Sequence, residues 1–296
     1  MLPSLKGFKP SRVLQSNPKA KSVVFLGEIE GKEGQAIVYL EKKPFNSERA
    51  EEQLAAEPAE LSLDFNNAEY SVYEMLAKAE MGAIKCDVIH PATAKHIAKY
   101  SREEFRFFRE TAGIYRDVTL PYVLREEMGG RIEWVYNVLE KKKEADRILC
   151  EDSDPKVGFI LAPDMKWDQK SIGDLYCLAI VNRRDIPSLR ALTPEHVPLL
   201  RNVYKKGCAC MKEKYGVDEG SMRVYVHYLP TFYHLHVHFT HVDFEAGGQQ
   251  AGKAHLLADI INNIEMRGDY YQAAALTVQI KTSLGLYKEF EAKGLV

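Results

Sequence analysis

The stretch Tyr233-His234-Leu235-His236-Val237-His238-Phe239 decides how this chain is read. Histidine and apolar residues alternate along it without a break. In an extended strand His234, His236 and His238 therefore share one face, while Leu235, Val237 and Phe239 turn into a core. Five of the nine histidines fall between positions 227 and 241, so a solvent-facing strand with incidental histidines is a poor account of the run. Two chemistries suit a row of imidazoles. An unprotonated ring nitrogen can attack phosphorus while its neighbours hold phosphate oxygens or hand a proton to the leaving group. Imidazoles also bind metal, although no nearby cysteine supplies further ligands here.

Working outward, Met222 to Leu229 reads as a strand that reaches the histidine strand, Tyr233 to His241, through a short turn containing Pro230. A helix over Ala254 to Met266, then a strand and a short helix, complete the chain. Upstream, strand-like pieces at Ala145 to Cys150, Val157 to Ala162 and Leu175 to Val181 are separated by the turn signals Asp154-Pro155 and Pro163-Asp164. Thr193-Pro194-Glu195 starts a helix and Gly216 stops it after about six turns. The first third differs, with short strands at Ser22 to Glu28, Gln35 to Glu41 and Ala59 to Phe65. From Ala92 to Glu110 the chain turns helix-favouring, with Ile97, Tyr100, Phe105 and Phe108 near helical spacing. The domain boundary is placed here, with a smaller β-rich N-terminal module over 1–104 and the histidine-bearing domain over 105–296.

At 296 residues the chain is long enough for two domains, and its 46% apolar and 28% charged content is that of a globular protein. A formal charge of −2 leaves no basic stripe, which argues against long nucleic acid as a ligand and for local phosphate recognition. Five cysteines, odd in number and without a C-x-x-C pair, fit a reducing compartment. The N-terminus carries no apolar block of signal-peptide type. The longest apolar runs, such as Leu175 to Val181, fall far short of the ~20 residues that cross a bilayer. The expectation is a cytoplasmic protein, or one both cytoplasmic and nuclear, with no membrane contact.

The alternating run resembles the motif of the histidine-triad family of nucleotide hydrolases and transferases. In that family the middle histidine, here His236, is the nucleophile and forms a phosphohistidine without a metal or other cofactor. The usual motif continues with hydrophobic residues, whereas this chain has Thr240 and His241. Over roughly Phe65 to the C-terminus the chain further resembles the scavenger decapping branch, which cleaves the 7-methylguanosine triphosphate cap of short RNA fragments. The resemblance is carried by Ala162-Pro163-Asp164-Met165-Lys166-Trp167, Asp174-Leu175-Tyr176, Ser188-Leu189-Arg190, Leu192-Thr193-Pro194-Glu195-His196 and Val226-His227-Tyr228-Leu229-Pro230.

That resemblance implies a set of site residues. Trp134, one of two tryptophans, is the platform for the cationic methylated base, a contact worth ~0.5–2 kcal/mol. Glu144 accepts the N–H donors of the guanine edge, Asp164 and Lys166 contact the cap, and Asn67 and Tyr70 close over the nucleotide. Lys99, Tyr176, Thr231 and His227 hold the triphosphate together with Lys253, which stands where arginine is common and lacks its two-pronged fork. His238 joins His227 on the phosphate, and His234 supports the strand. Trp167 reads as packing. The implied architecture is α+β and dimeric, with the N-terminal module exchanged between protomers and an antiparallel C-terminal histidine-triad domain. Its cleft closes over a capped dinucleotide or short capped fragment. The implied products are 7-methylguanosine monophosphate and a nucleoside or oligonucleotide diphosphate. Alternatives are hydrolysis of diadenosine polyphosphates or nucleoside phosphoramidates, and a non-catalytic cap-binding regulator.

Overall fold

The computed structural model describes residues 5–45, 48, 50–51, 61–67, 70–75, 83–128, 132–165, 167–245 and 247–296. The chain divides into two compact units, Met1–Glu103 and Glu104–Val296. The fold is α+β.

In the first unit β1 (Phe8–Asn17), β2 (Ser22–Ile29), β3 (Gln35–Lys42) and β6 (Ile84–Ile89) form an antiparallel sheet in the order β1-β2-β3-β6, while β4 (Leu61–Asn67) and β5 (Tyr70–Met75) form a separate hairpin. Leu14, Val24, Leu26 and Ile37 make a small core, against which Ile97 and Tyr100 of α1 (Ala94–Tyr100) pack. Thr93 caps that helix by accepting from the His96 backbone N–H. The first strand, β1, is not among those read from the sequence. Only Leu14 in it is buried, so its pairing with β2, and not its own apolar pattern, makes it a strand.

The second unit begins with β7 (Phe105–Glu110), which corrects the helix-favouring reading of 92–110. The helix stops at Tyr100, and β7 pairs along its whole length with β14 (Leu276–Lys281), some 170 residues away. Helical spacing of Phe105 and Phe108 could not reveal a distant partner. Helices α2 (Leu120–Met128) and α3 (Glu133–Leu139) follow, then β8 (Cys150–Asp152), β9 (Phe159–Pro163) and β10 (Tyr176–Val181). The strand expected from Ala145 is a 3-10 turn, Ala145–Arg147, before β8. Thr193 opens a short 3-10 turn that runs into α4 (Val197–Tyr215), closed by Gly216 in the left-handed conformation at φ 70°. Strands β11 (Met222–His227) and β12 (His236–His241), short β13 (Ala254–Leu256), and helices α5 (Leu257–Met266) and α6 (Gly285–Ala292) complete the unit. The expected helix from Ala254 thus spends its first turn pairing with β11.

These strands build a six-stranded antiparallel sheet in the order β13-β11-β12-β10-β9-β8. Alternation along β12 separates its two faces. Val237 and Phe239, with Leu235 just before the strand, join Val224, Val226, Ala179 and Leu161 in the main core, beneath Leu199, Leu200 and Val203 of α4 and Ile260 and Ile264 of α5. Each such side chain contributes about 1.5–3 kcal/mol on burial, so a one-residue slip of β12 would be prohibitive. That register forces His236 and His238 onto the opposite face, beside Ile180, Leu178, Tyr225 and Tyr176. Part of this second face is covered by Val135 and Val138 of α3, packed against Ile180 and Phe232.

A buried ion pair braces the segment that follows β11. The Glu110 carboxylate accepts from Arg190 (Nε 3.0 Å, Nη2 2.7 Å), from the Tyr228 hydroxyl (2.5 Å) and from Thr119 (2.6 Å), with both charged side chains fully enclosed. Arg190 also donates to the carbonyls of Tyr271 and Ala274. Every lone pair and N–H so engaged offsets the cost of enclosing two charges.

Candidate active site

His236 opens β12 and is 3% exposed. Its Nδ1–H donates to the carbonyl of His234 at 2.7 Å, which leaves the Nε2 lone pair as the reactive nitrogen. Burial pushes the imidazole down to about 4, against a smaller opposing effect of that hydrogen bond. The ring is accordingly neutral at physiological pH, as a nucleophile must be. One of its faces lies against Phe232, with centroids 4.0 Å apart and planes 17° from parallel.

The neighbouring imidazoles are held just as firmly. His238 is hydrogen-bonded through Nδ1 to the Tyr176 hydroxyl at 2.9 Å and stacks on Tyr225 at 5.0 Å and 7°. Burial raises the Tyr176 hydroxyl pKa, so it stays protonated. The Nε2–H of His227 donates to the Gly248 carbonyl at 2.8 Å, and its ring lies 4.0 Å from that of His238. Ligand-capable atoms of His227, His236 and His238 lie within 4.8 Å of one another. Such a cluster can surround a phosphate oxygen or hold a divalent metal ion, and geometry alone admits both. His234 does not join it. It precedes the strand, donates from Nε2 to the Val181 carbonyl at 2.8 Å and sets its ring edgewise to Tyr136. The shared face expected of three histidines is thus made by His236 and His238 from β12 and His227 from β11.

Lys253 donates through Nζ to the Leu229 carbonyl, while its own carbonyl accepts from the Tyr228 N–H at 2.9 Å. Burial, with some repulsion from Lys281, lowers its ammonium to about 8, which leaves it mostly cationic at neutral pH. Thr231 is exposed on the turn before Phe232. Trp134, on α3, is 44% exposed and meets Phe232 edge to face at 4.9 Å. A chain of ring contacts therefore runs from Trp134 through Phe232 to His236. Glu144 sits in a left-handed backbone conformation (φ 57°) and pairs with Arg147 at 2.7 Å. Arg147 reaches on to the Pro163 carbonyl at 3.0 Å, next to Asp164. The Asp164 N–H in turn donates to the Tyr176 carbonyl at 2.9 Å. Trp167 is buried, donates Nε1–H to the Ser171 carbonyl and packs on Tyr215, as packing requires. His241 ends β12, and its Nδ1 accepts from the Asp243 N–H in the following turn.

In the first unit, Asn67 ends β4 and is paired in register with Tyr70 at the start of β5, with Tyr70 75% exposed, and Lys99 is exposed on the last turn of α1. Lys166 lies outside the described residues.

Two family models match the chain, scavenger mRNA decapping enzyme N-terminal over residues 3–103 and scavenger mRNA decapping enzyme C-term binding over residues 133–253. An m7GpppX diphosphatase of Mus musculus is 45% identical over 281 residues, which are 93% of this chain and 82% of that protein. The chain belongs to the scavenger mRNA decapping enzyme family. Other m7GpppX diphosphatases related to it include that of Ascaris suum, 40% identical over 97% of this chain and 94% of the relative, and that of Schizosaccharomyces pombe, 36% identical over 93% and 91%. The scavenger decapping match also covers the N-terminal strands, further forward than the motif-bearing part from Phe65. Residues that motif reading of this decapping enzyme chain passed over are Phe232, Tyr225, Arg147 and Gly248. Only Arg147 had a signal, its three-residue spacing from Glu144; the others meet the histidines through folding alone.

Proposed function

We infer that this chain is a hydrolase that cleaves the triphosphate bridge of 7-methylguanosine caps on dinucleotides and short RNA fragments, as part of mRNA decay. What carries the reading is that its relatives, 34–45% identical along nearly the whole chain, are m7GpppX diphosphatases, while His236 is a buried, neutral imidazole with Nδ1–H engaged. In the proposed reaction Nε2 of His236 attacks the phosphorus that bears 7-methylguanosine and expels a nucleoside or oligonucleotide diphosphate. Water then releases 7-methylguanosine monophosphate. His227 and His238 hold phosphate oxygens with Tyr176, Thr231, Lys253 and Lys99, and His234 keeps β12 in place. Trp134 stacks on the base, Glu144 and Asp164 accept from it with Lys166 alongside, and Asn67 and Tyr70 close over it.

We also propose a homodimer. The β4–β5 hairpin exposes Leu63, Phe65, Tyr70, Val72 and Tyr73 together, an apolar surface of the kind a second protomer covers. The near-neutral charge favours short over long RNA. Five free cysteines favour the cytoplasm and nucleus. Among the described residues no helix is long and apolar enough to cross a membrane.

The test is product analysis on methylated and unmethylated cap dinucleotides beside diadenosine substrates, with His236→Asn and with chelator present. 7-Methylguanosine monophosphate as product, lost in the variant and indifferent to chelator, is expected. Preference for diadenosine compounds, or activity abolished by chelator and restored by zinc, would overturn the reading.

A further inference from the structure

We infer that Phe232 stabilises the charged form of His236 that exists only while the phosphoryl group is attached, and so acts on the reaction itself through the nucleophile. This rests on His236 being that nucleophile. When the Nε2 lone pair forms the N–P bond, the bond from phosphorus to the bridging oxygen breaks, and the departing diphosphate keeps that electron pair. Nδ1 keeps its proton. The ring, neutral before attack, becomes an imidazolium bearing one positive charge spread over both nitrogens. In the second step a water oxygen bonds to phosphorus, the N–P pair returns to Nε2, a water proton passes to solvent, and the ring is neutral again.

That transient charge arises in a place that opposes it. His236 is enclosed, and the cation at Lys253 acts on it unfavourably. Two groups compensate. The His234 carbonyl accepts Nδ1–H at 2.7 Å, and the face of Phe232 lies nearly parallel to the imidazole at 4.0 Å. An aromatic face attracts a cation through its quadrupole and a neutral ring far less. The contact therefore strengthens as the reaction proceeds, which is the condition for accelerating it. Trp134, edge to face with Phe232, and Val135 and Val138 beside it keep that ring in plane. An aliphatic residue of similar volume would fill the space equally well, so packing alone does not call for an aromatic ring here.

The experiment replaces Phe232 by 4-fluoro-, 3,5-difluoro- and 3,4,5-trifluorophenylalanine, which keep the shape and progressively weaken the face. Single-turnover cleavage of cap dinucleotide is then measured, with thermal melting as the fold control. A stepwise fall in rate with each fluorine, totalling roughly five- to thirty-fold at unchanged melting temperature and KM, is expected. Phe232→Tyr should stay near the parent rate and Phe232→Leu should fall furthest. Stereochemistry at a chiral thiophosphate is determined for the parent in parallel. Net retention with a flat fluorine series removes the role of Phe232 and leaves the phosphohistidine standing. Net inversion removes both.

Discussion

Acidification should expose the burial of His236 as a measurable loss of stability. The folded imidazole binds a proton only near pH 4, whereas the unfolded one does so near its ordinary 6.5. Between those values the unfolded chain holds more protons, so stability falls as pH falls, and the contribution is fully present only above 6.5. With about 1.4 kcal/mol for each tenfold change in proton affinity, the whole window amounts to about 3 kcal/mol, of which about 2 kcal/mol is lost by pH 5. His234, His196 and His255 are also lowered by burial and add losses of the same sign, so the parent alone cannot isolate one ring. His236→Asn removes the titration while keeping a side chain able to donate toward the His234 carbonyl. Urea unfolding of both proteins from pH 7.5 to 5 gives the comparison. The stability difference between parent and variant should hold steady above pH 7 and then shift by about 2 kcal/mol in favour of the variant by pH 5. Parallel curves over the whole range would mean that the ring is not kept neutral by its surroundings, and the case for a preformed nucleophile would fail with them.

Trp134→Ala should weaken binding of a cap analogue by about 0.5–2 kcal/mol, read by calorimetric titration, with melting unchanged because the side chain is half exposed. Gly248→Ala places a methyl 2.9 Å from Nε2 of His227 and disturbs its bond to the Gly248 carbonyl. A fall in kcat of roughly ten- to a hundred-fold, short of losing a full transition-state donor, with little change in melting would mark His227 as poised by that turn. In the buried network, Arg190→Met strands the Glu110 charge and should cost about 3–5 kcal/mol in denaturant unfolding. Tyr228→Phe, which leaves both Arg190 bonds to Glu110, should cost only about 1–2 kcal/mol.

Local chemistry made much of this protein legible before folding was considered. The alternation of His236, Val237, His238 and Phe239 specifies a two-faced strand, and Thr193 with Gly216 brackets α4 closely, since caps and turns depend on neighbouring residues. Features that depend on remote partners were not legible. Phe105 and Phe108 carry a helical spacing yet lie in a strand, because β14 supplies the hydrogen bonds. Likewise β1 buries only Leu14 and exists through β2. At the site, the chain's order of residues singles out the histidines. It says nothing of Phe232 against His236, of Tyr225 against His238, or of the Gly248 carbonyl that sets the tautomer of His227. A motif thus names the groups able to react, because reactivity belongs to the side chain itself. Protonation, orientation and charge stabilisation belong to what surrounds each ring, and those surroundings exist only once distant segments have packed together.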